Sequence, residues 1–206
     1  MPEFITERPS SLDGRRERST RSRHAIARAM LDLMRETQSI PTVDAVADRA
    51  NVSRRSVFRH FPETNSLIIA AVDMQRTDVN ARFAPRDLST LGLPERVRAV
   101  SQRLGRMNEY ITPARSLVDQ FRKDHPVIDD MLKEDERTYT HHLGLIFRDG
   151  LEHHSAEDRD LVLQAMVSAA GWATWRGLRK DQFLSVLGAR KVVEYTLCAL
   201  LTVRPS

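Results

Sequence analysis

Arg54, Arg55, Ser56 and Arg59 fall in one short stretch, followed by His60 and preceded by Thr42 and Ser53. Guanidinium forks match the O6 and N7 edge of guanine and also phosphate oxygens, and hydroxyls serve either purpose. Such a set suits contact with a nucleic acid. Upstream, the run GRRERSTRSR adds Arg15, Arg16, Arg18, Arg21 and Arg23 in a segment without apolar periodicity. Residues 1–18 accordingly read as a flexible basic arm, too polar to fold alone and suited to phosphates or a minor groove. Residues 15–60 hold 11 arginines against 5 acids, a net +6, whereas the whole chain carries +4. The rest of the chain is therefore slightly acidic, and the basic character belongs to one end.

The elements that must position these side chains lie between Thr42 and Phe61. Thr42 is placed to cap a two-turn helix whose Val43, Val46, Ala47 and Ala50 share a face. Asn51 tolerates the left-handed backbone that a sharp turn needs. Val52 fills the angle, and Ser53 caps a second helix with Val57 and Phe61 inward. Arg54, Arg55, Ser56, Arg59 and His60 remain on its leading and outer surface. This is the layout of a helix-turn-helix, in which the second helix enters the major groove. An ordinary helical hairpin with solvated arginines would share the layout; the basic segment beside it favours the DNA reading.

Residues 21–67, from RSRHAIARAM through TVDAVADRANVSRRSVFRHFPETNSL, resemble the DNA-binding domain of the TetR family of bacterial transcriptional regulators. The resemblance covers a first helix with Ile26, Ala29, Met30 and Leu33 inward, the helix-turn-helix, and the phrase leading into a fourth helix. It implies base contacts by Arg54, Arg55, Ser56 and Arg59. Phosphate contacts would fall to Thr42, Ser53, Phe58, His60 and Thr64, with Arg15, Arg16, Arg18, Arg21 and Arg23 of the basic run beside them. The chain departs from the family pattern with Asn51 where glycine is usual, Phe58 for tyrosine and Thr64 for lysine. The last two weaken anchoring, since a phenyl ring has no hydroxyl and Thr64 is a neutral partner.

A chain of 206 residues with 41% apolar content can bury a proper core. A single cysteine, Cys198, excludes an internal disulfide and fits a reducing cytoplasm. No apolar signal segment opens the sequence, and the C-terminal apolar run is broken by Arg190, Lys191 and Glu194. Catalysis is not expected: there is no glycine-rich phosphate loop and no nucleophile elbow. Neighbouring His141 and His142, like His153 and His154, lack metal-ligand spacing, so neither metal nor cofactor is expected.

Beyond residue 68 only periodicity speaks. It predicts an all-α region with helices from Pro94 to near Pro113, a short one around Leu117 and Phe121, and another from Val127 to about His153. Two final segments, Ala156–Leu178 and Asp181–Val203, are apolar nearly all round, which calls for a second copy of the chain as cover. Ser168, Ala169, Gly171 and Ala173 would permit close approach there. The expected organisation is an arm (1–18), a three-helix DNA-binding domain (19–68) and a helical ligand-binding and dimerisation domain (69–206). Met107, Tyr110, Phe121, Tyr139, Phe147, Trp172 and Trp175 are candidates for an apolar pocket, with plain core packing as the competing reading. Asp135 or Glu136, if inward, would favour a cationic effector. The reading is a homodimeric, ligand-responsive regulator of double-stranded operator DNA, most simply a repressor. The alternatives are a helical enzyme or carrier without DNA binding and a constitutive DNA-binding protein without effector.

Overall fold

The structure, a computed structural model, describes residues 11–203, with side chains from residue 14 onward. Every regular element among these residues is helical, as the periodicity predicts. Two compact units divide between Arg76 and Thr77. The division falls inside a helix, later than the boundary at residue 68 expected from sequence.

The first unit contains α1 (Ser11–Thr37), α2 (Val43–Arg49), α3 (Arg54–His60) and most of α4 (Thr64–Arg82). Ile26, Met30 and Met34 are wholly buried on α1, and Val46, Val57, Phe61 and Leu67 close the core from the other elements. The expected irregular arm needs correction. Residues 11–18 form the opening turns of α1, while residues 1–10 lie outside the described residues. Once the apolar stripe further along has paid the cost of nucleating a helix, each upstream residue adds a hydrogen bond. Arginine and glutamate lose little in helical form. Arg18 adds a side-chain hydrogen bond to these turns, donating from Nε to the Gly14 carbonyl at 2.9 Å.

The second unit comprises α5 (Leu93–Phe121), α6 (Pro126–Ile146), α7 (Arg148–Glu152), α8 (Ala156–Ala170), α9 (Trp172–Arg176), a π turn at Gly177–Asp181, and α10 (Val186–Thr202). Its core gathers Val97, Val100 and Leu104 of α5 with Leu143, Phe147, Met166, Trp175, Val193 and Leu197.

Four helix boundaries differ from the periodicity, the last being the start of the segment expected from Asp181, which begins as α10 at Val186. The predicted stop near Pro113 does not occur, and α5 runs through it. Proline inside a helix costs about 3 kcal/mol or more. Ala114, Leu117 and Val118 beyond it are buried, and burying one large aliphatic side chain contributes about 1.5–3 kcal/mol, so packing offsets the loss. The predicted helix over 127–153 is interrupted at Phe147, whose backbone leaves the helical region (φ −111°, ψ 21°). The buried Arg96 stands at the break. Its Nη1 donates to the Ile146 carbonyl at 2.8 Å and to Asp149 Oδ1 at 2.7 Å, while Nη2 reaches Oδ2 at 2.7 Å. The predicted helix 156–178 divides at Gly171, where a Cβ would stand 2.9 Å from the Val167 carbonyl oxygen. Gly171 thus makes room for its own chain's backbone. The chain then turns at Phe183, exposed and with φ 55°, before α10 begins at Val186.

Candidate functional site

The geometry between α2 and α3 follows from short-range hydrogen bonds. Thr42 Oγ1 accepts from the Ala45 N–H at 3.2 Å and Ser53 Oγ from the Ser56 N–H at 3.2 Å, so both helices start on side-chain caps. Asn51 sits at φ 52°. There its N–H reaches the Asp48 carbonyl at 3.1 Å, and the Val52 N–H reaches that of Ala47 at 3.0 Å. Val57 and Phe61 turn into the core, which leaves Arg54, Arg55 and Arg59 exposed on the opposite surface of α3.

Two arginines outside α3 hold this pair in place. Arg23 Nη1 donates to the His60 carbonyl at 2.7 Å, and its guanidinium lies 4.2 Å from the Phe61 ring centroid. It therefore satisfies one of the carbonyls that the end of α3 would otherwise leave open. Arg49 clasps Glu36 bidentately at 2.9 and 2.6 Å, tying α2 to α1. That hydrogen-bonded pair lowers the Glu36 carboxyl below its usual range. On α3 itself, Arg54 pairs with Asp44 at 3.2 Å and lies over the Phe58 ring. Arg59 Nη2 donates to Ser56 Oγ at 3.2 Å. Partial burial, then the charges of Arg59 and Arg23, push the His60 imidazole below its ordinary value.

The helical unit carries a second polar grouping. Glu109 accepts from Trp175 Nε1 and from Arg179 Nε, both at 2.8 Å, and so anchors the π turn to α5. Trp172 Nε1 donates to Thr112 Oγ1 at 3.1 Å, and the Thr112 hydroxyl donates to the Asn108 carbonyl at 2.5 Å. The Arg115 guanidinium lies 5.1 Å from the Trp172 ring.

No family model and no curated protein matches the sequence. Solved structures do match in shape. A transcriptional regulator from Rhodococcus sp. Rha1 superposes with a TM-score of 0.69 at 14% identity, over 87% of this chain and 96% of that one. A TetR transcription regulator from Haloarcula marismortui gives 0.67 at 16% identity, over 87% and 98%. A TetR-like regulator from Rhodococcus sp. RHA1 gives 0.58 at 16%, over 94% and 97%. The chain has the fold of the TetR regulators.

Within this TetR fold, Arg54, Arg55 and Arg59, assigned from sequence to base edges, are exposed on α3, although Arg54 is engaged by Asp44, while Ser56 is half-buried. Those assigned to phosphate separate. Thr42, Ser53 and Thr64 lie exposed at the starts of α2, α3 and α4, and Arg15, Arg16, Arg18 and Arg21 are exposed along α1. Arg23 is engaged within the chain. Phe58 has no polar side-chain atom, and its ring, 41% exposed, lies beneath Arg54. The braces by Arg23, Arg49 and Asp44 escaped sequence reading, because their partners are set by how the helices pack.

The pocket candidates also disperse. Phe147 and Trp175 are fully buried in the core, and Met107 and Tyr139 pack against it. Tyr110 bonds Asp78 at 2.9 Å beneath Arg82, Phe121 lies beside His125, and Trp172 is the one bonded to Thr112. Sequence reading missed Ser101, Asn108, Thr112 and Arg115. Their recurrence every three to seven positions along one face of α5 was the available signal. Asp135 is half-buried and Glu136 exposed, and both act on the Arg115 charge.

Proposed function

We propose that the chain is a TetR-family transcriptional regulator, a cytoplasmic homodimer that represses by binding a palindromic operator and is released by a small effector. One observation carries the reading: a capped α3 that turns Val57 and Phe61 inward and presents Arg54, Arg55 and Arg59 outward. The regulators of like fold support it. Dimerisation through α8 and α10 accounts for the exposed Leu161, Leu187 and Tyr195, which a lone chain leaves in water. A two-fold pair would place its recognition helices about 34–36 Å apart, one turn of DNA.

Ser56 and the α3 arginines read base edges, while Thr42, Ser53, Thr64 and the exposed α1 arginines hold phosphates. α4 carries Leu67 in one unit and extends past Thr77 into the next. An effector that moves this helix would change operator affinity, and a coupling of about 1–3 kcal/mol corresponds to roughly 5–150-fold.

Footprinting on DNA flanking the chain's own gene, with excess competitor, tests the reading. A protected palindrome is expected. Arg59→Ala should relax base preference at one position, worth about 1–3 kcal/mol of discrimination. Equal affinity for operator and competitor DNA would refute sequence-specific regulation.

A further inference from the structure

One side of α5 carries polar residues that the core does not satisfy. Asn108 and Ser101 are buried almost completely, at 1% and 0% exposure, yet Asn108 Nδ2 and Ser101 Oγ have no hydrogen-bond partner within the protein. On α6 the Tyr139 hydroxyl is buried and unpartnered as well, and burial pushes its ionisation well above the ordinary range. Arg115 Nε shares this condition. Buried polar groups are nearly always satisfied, so several together mark a place where a further group belongs.

Asn108 and Arg115 lie close to one another. Thr112 joins Asn108 to Trp172, and the Trp172 ring lies beneath the Arg115 guanidinium. Arg115 also senses Asp135, one helical turn before Tyr139 on α6. The unmet atoms have a common character. Arg115 Nε and Asn108 Nδ2 can only donate, and the Tyr139 and Ser101 hydroxyls are able to. Burial is the largest influence on Arg115 and disfavours its charge. Asp119, Asp135 and Glu136 act on it electrostatically, but among the described residues no carboxylate pairs with it within 4 Å. The neighbouring Arg122 is already engaged by Asp129.

We propose that the helical unit binds an organic acid, its aromatic or aliphatic body against Trp172 and its carboxylate on Arg115, with Asn108 Nδ2 and the Tyr139 hydroxyl as further donors. The inference rests on the ligand-responsive reading and specifies the chemistry of its effector. A cation would meet the Arg115 charge, and a wholly apolar ligand would leave the donors unpaired. A carboxylate answers both.

Calorimetric titration of the full chain with two matched sets tests this: 2-naphthoate, 2-naphthamide and 2-naphthylmethylamine, then hexanoate, hexanamide and hexylamine. In at least one set the carboxylate should bind about tenfold or more tightly than its amide, with the amine weakest. Arg115→Gln should abolish that preference while retaining amide binding. Tyr139→Phe should weaken the carboxylate several-fold yet melt no lower than wild type, because its hydroxyl has no partner to lose. Amide or amine binding as tight as the carboxylate in both sets would overturn the inference and leave the ligand-responsive reading standing. So would an unchanged preference in a helical Arg115→Gln. If that variant does not fold, an unchanged carboxylate affinity in Tyr139→Phe overturns the inference instead. Absence of binding by all six compounds at 1 mM (roughly 4 kcal/mol of binding free energy) would overturn the inference and leave the ligand-responsive reading standing.

Discussion

Replacing Arg23 with methionine separates a brace from a phosphate anchor. The side chain donates one charge-assisted hydrogen bond to the His60 carbonyl and stacks over Phe61. Hydrogen bonds involving a charged group contribute about 1.5–3 kcal/mol, and an exposed cation–π contact adds about 0.5–1 kcal/mol. Arg23 is exposed, and methionine retains some packing over the ring. The sum, about 2–4 kcal/mol, is therefore discounted to about 1.5–2.5 kcal/mol as the expected loss for α3. Both indoles, Trp172 and Trp175, lie in the other unit, so fluorescence would not register it. Amide hydrogen exchange at Val57 and Phe61, whose N–H groups bond Ser53 and Val57 carbonyls, does. Those amides should exchange roughly ten- to seventyfold faster, at 1.36 kcal/mol per decade. The salt dependence of DNA binding should keep its slope, since removing a charged phosphate anchor would reduce it by roughly 0.9. Unchanged exchange together with a flatter slope would refute the brace.

Gly105→Ala places a methyl 3.0 Å from the Trp175 ring. Overpacking of about 1–3 kcal/mol should lower the melting temperature and alter indole emission; a wild-type melt would show that the ring yields freely. The depressed His60 imidazole has a worked pH sign. Its folded value lies below its unfolded one, so the unfolded chain binds more protons as pH falls through the ordinary histidine range, and stability declines on acidification. His142, lowered chiefly by burial, acts in the same direction. Melting curves of His60→Gln between pH 7 and 5 should therefore decline less steeply than wild type, and parallel curves would exclude the contribution.

Much of the helix-turn-helix was legible because its determinants are local. Thr42 and Ser53 each bond an N–H three residues ahead, and Asn51 bends a turn whose hydrogen bonds reach back only three to five residues. Such contacts depend on residue type and short spacing, which can be read along a line. The inward register of Ile26, Met30, Val57 and Phe61 follows from helical period for the same reason.

What escaped the line depends on partners far along the chain. Propensity ended a helix at Pro113, yet burial of Leu117 and Val118 carried α5 through it. Period ran one helix from 127 to 153, yet Arg96, distant in sequence, takes the Ile146 carbonyl where it breaks. Arg23 appeared as one arginine of a basic run until folding set it against His60 and Phe61. Composition and periodicity thus determined an all-helical chain with a basic helix-turn-helix at one end. Only packing decided which arginines stay exposed and which donors on α5 are buried without a partner within the protein. Local hydrogen bonds form within a turn of the chain, whereas the pairing of remote groups exists only once the core has closed.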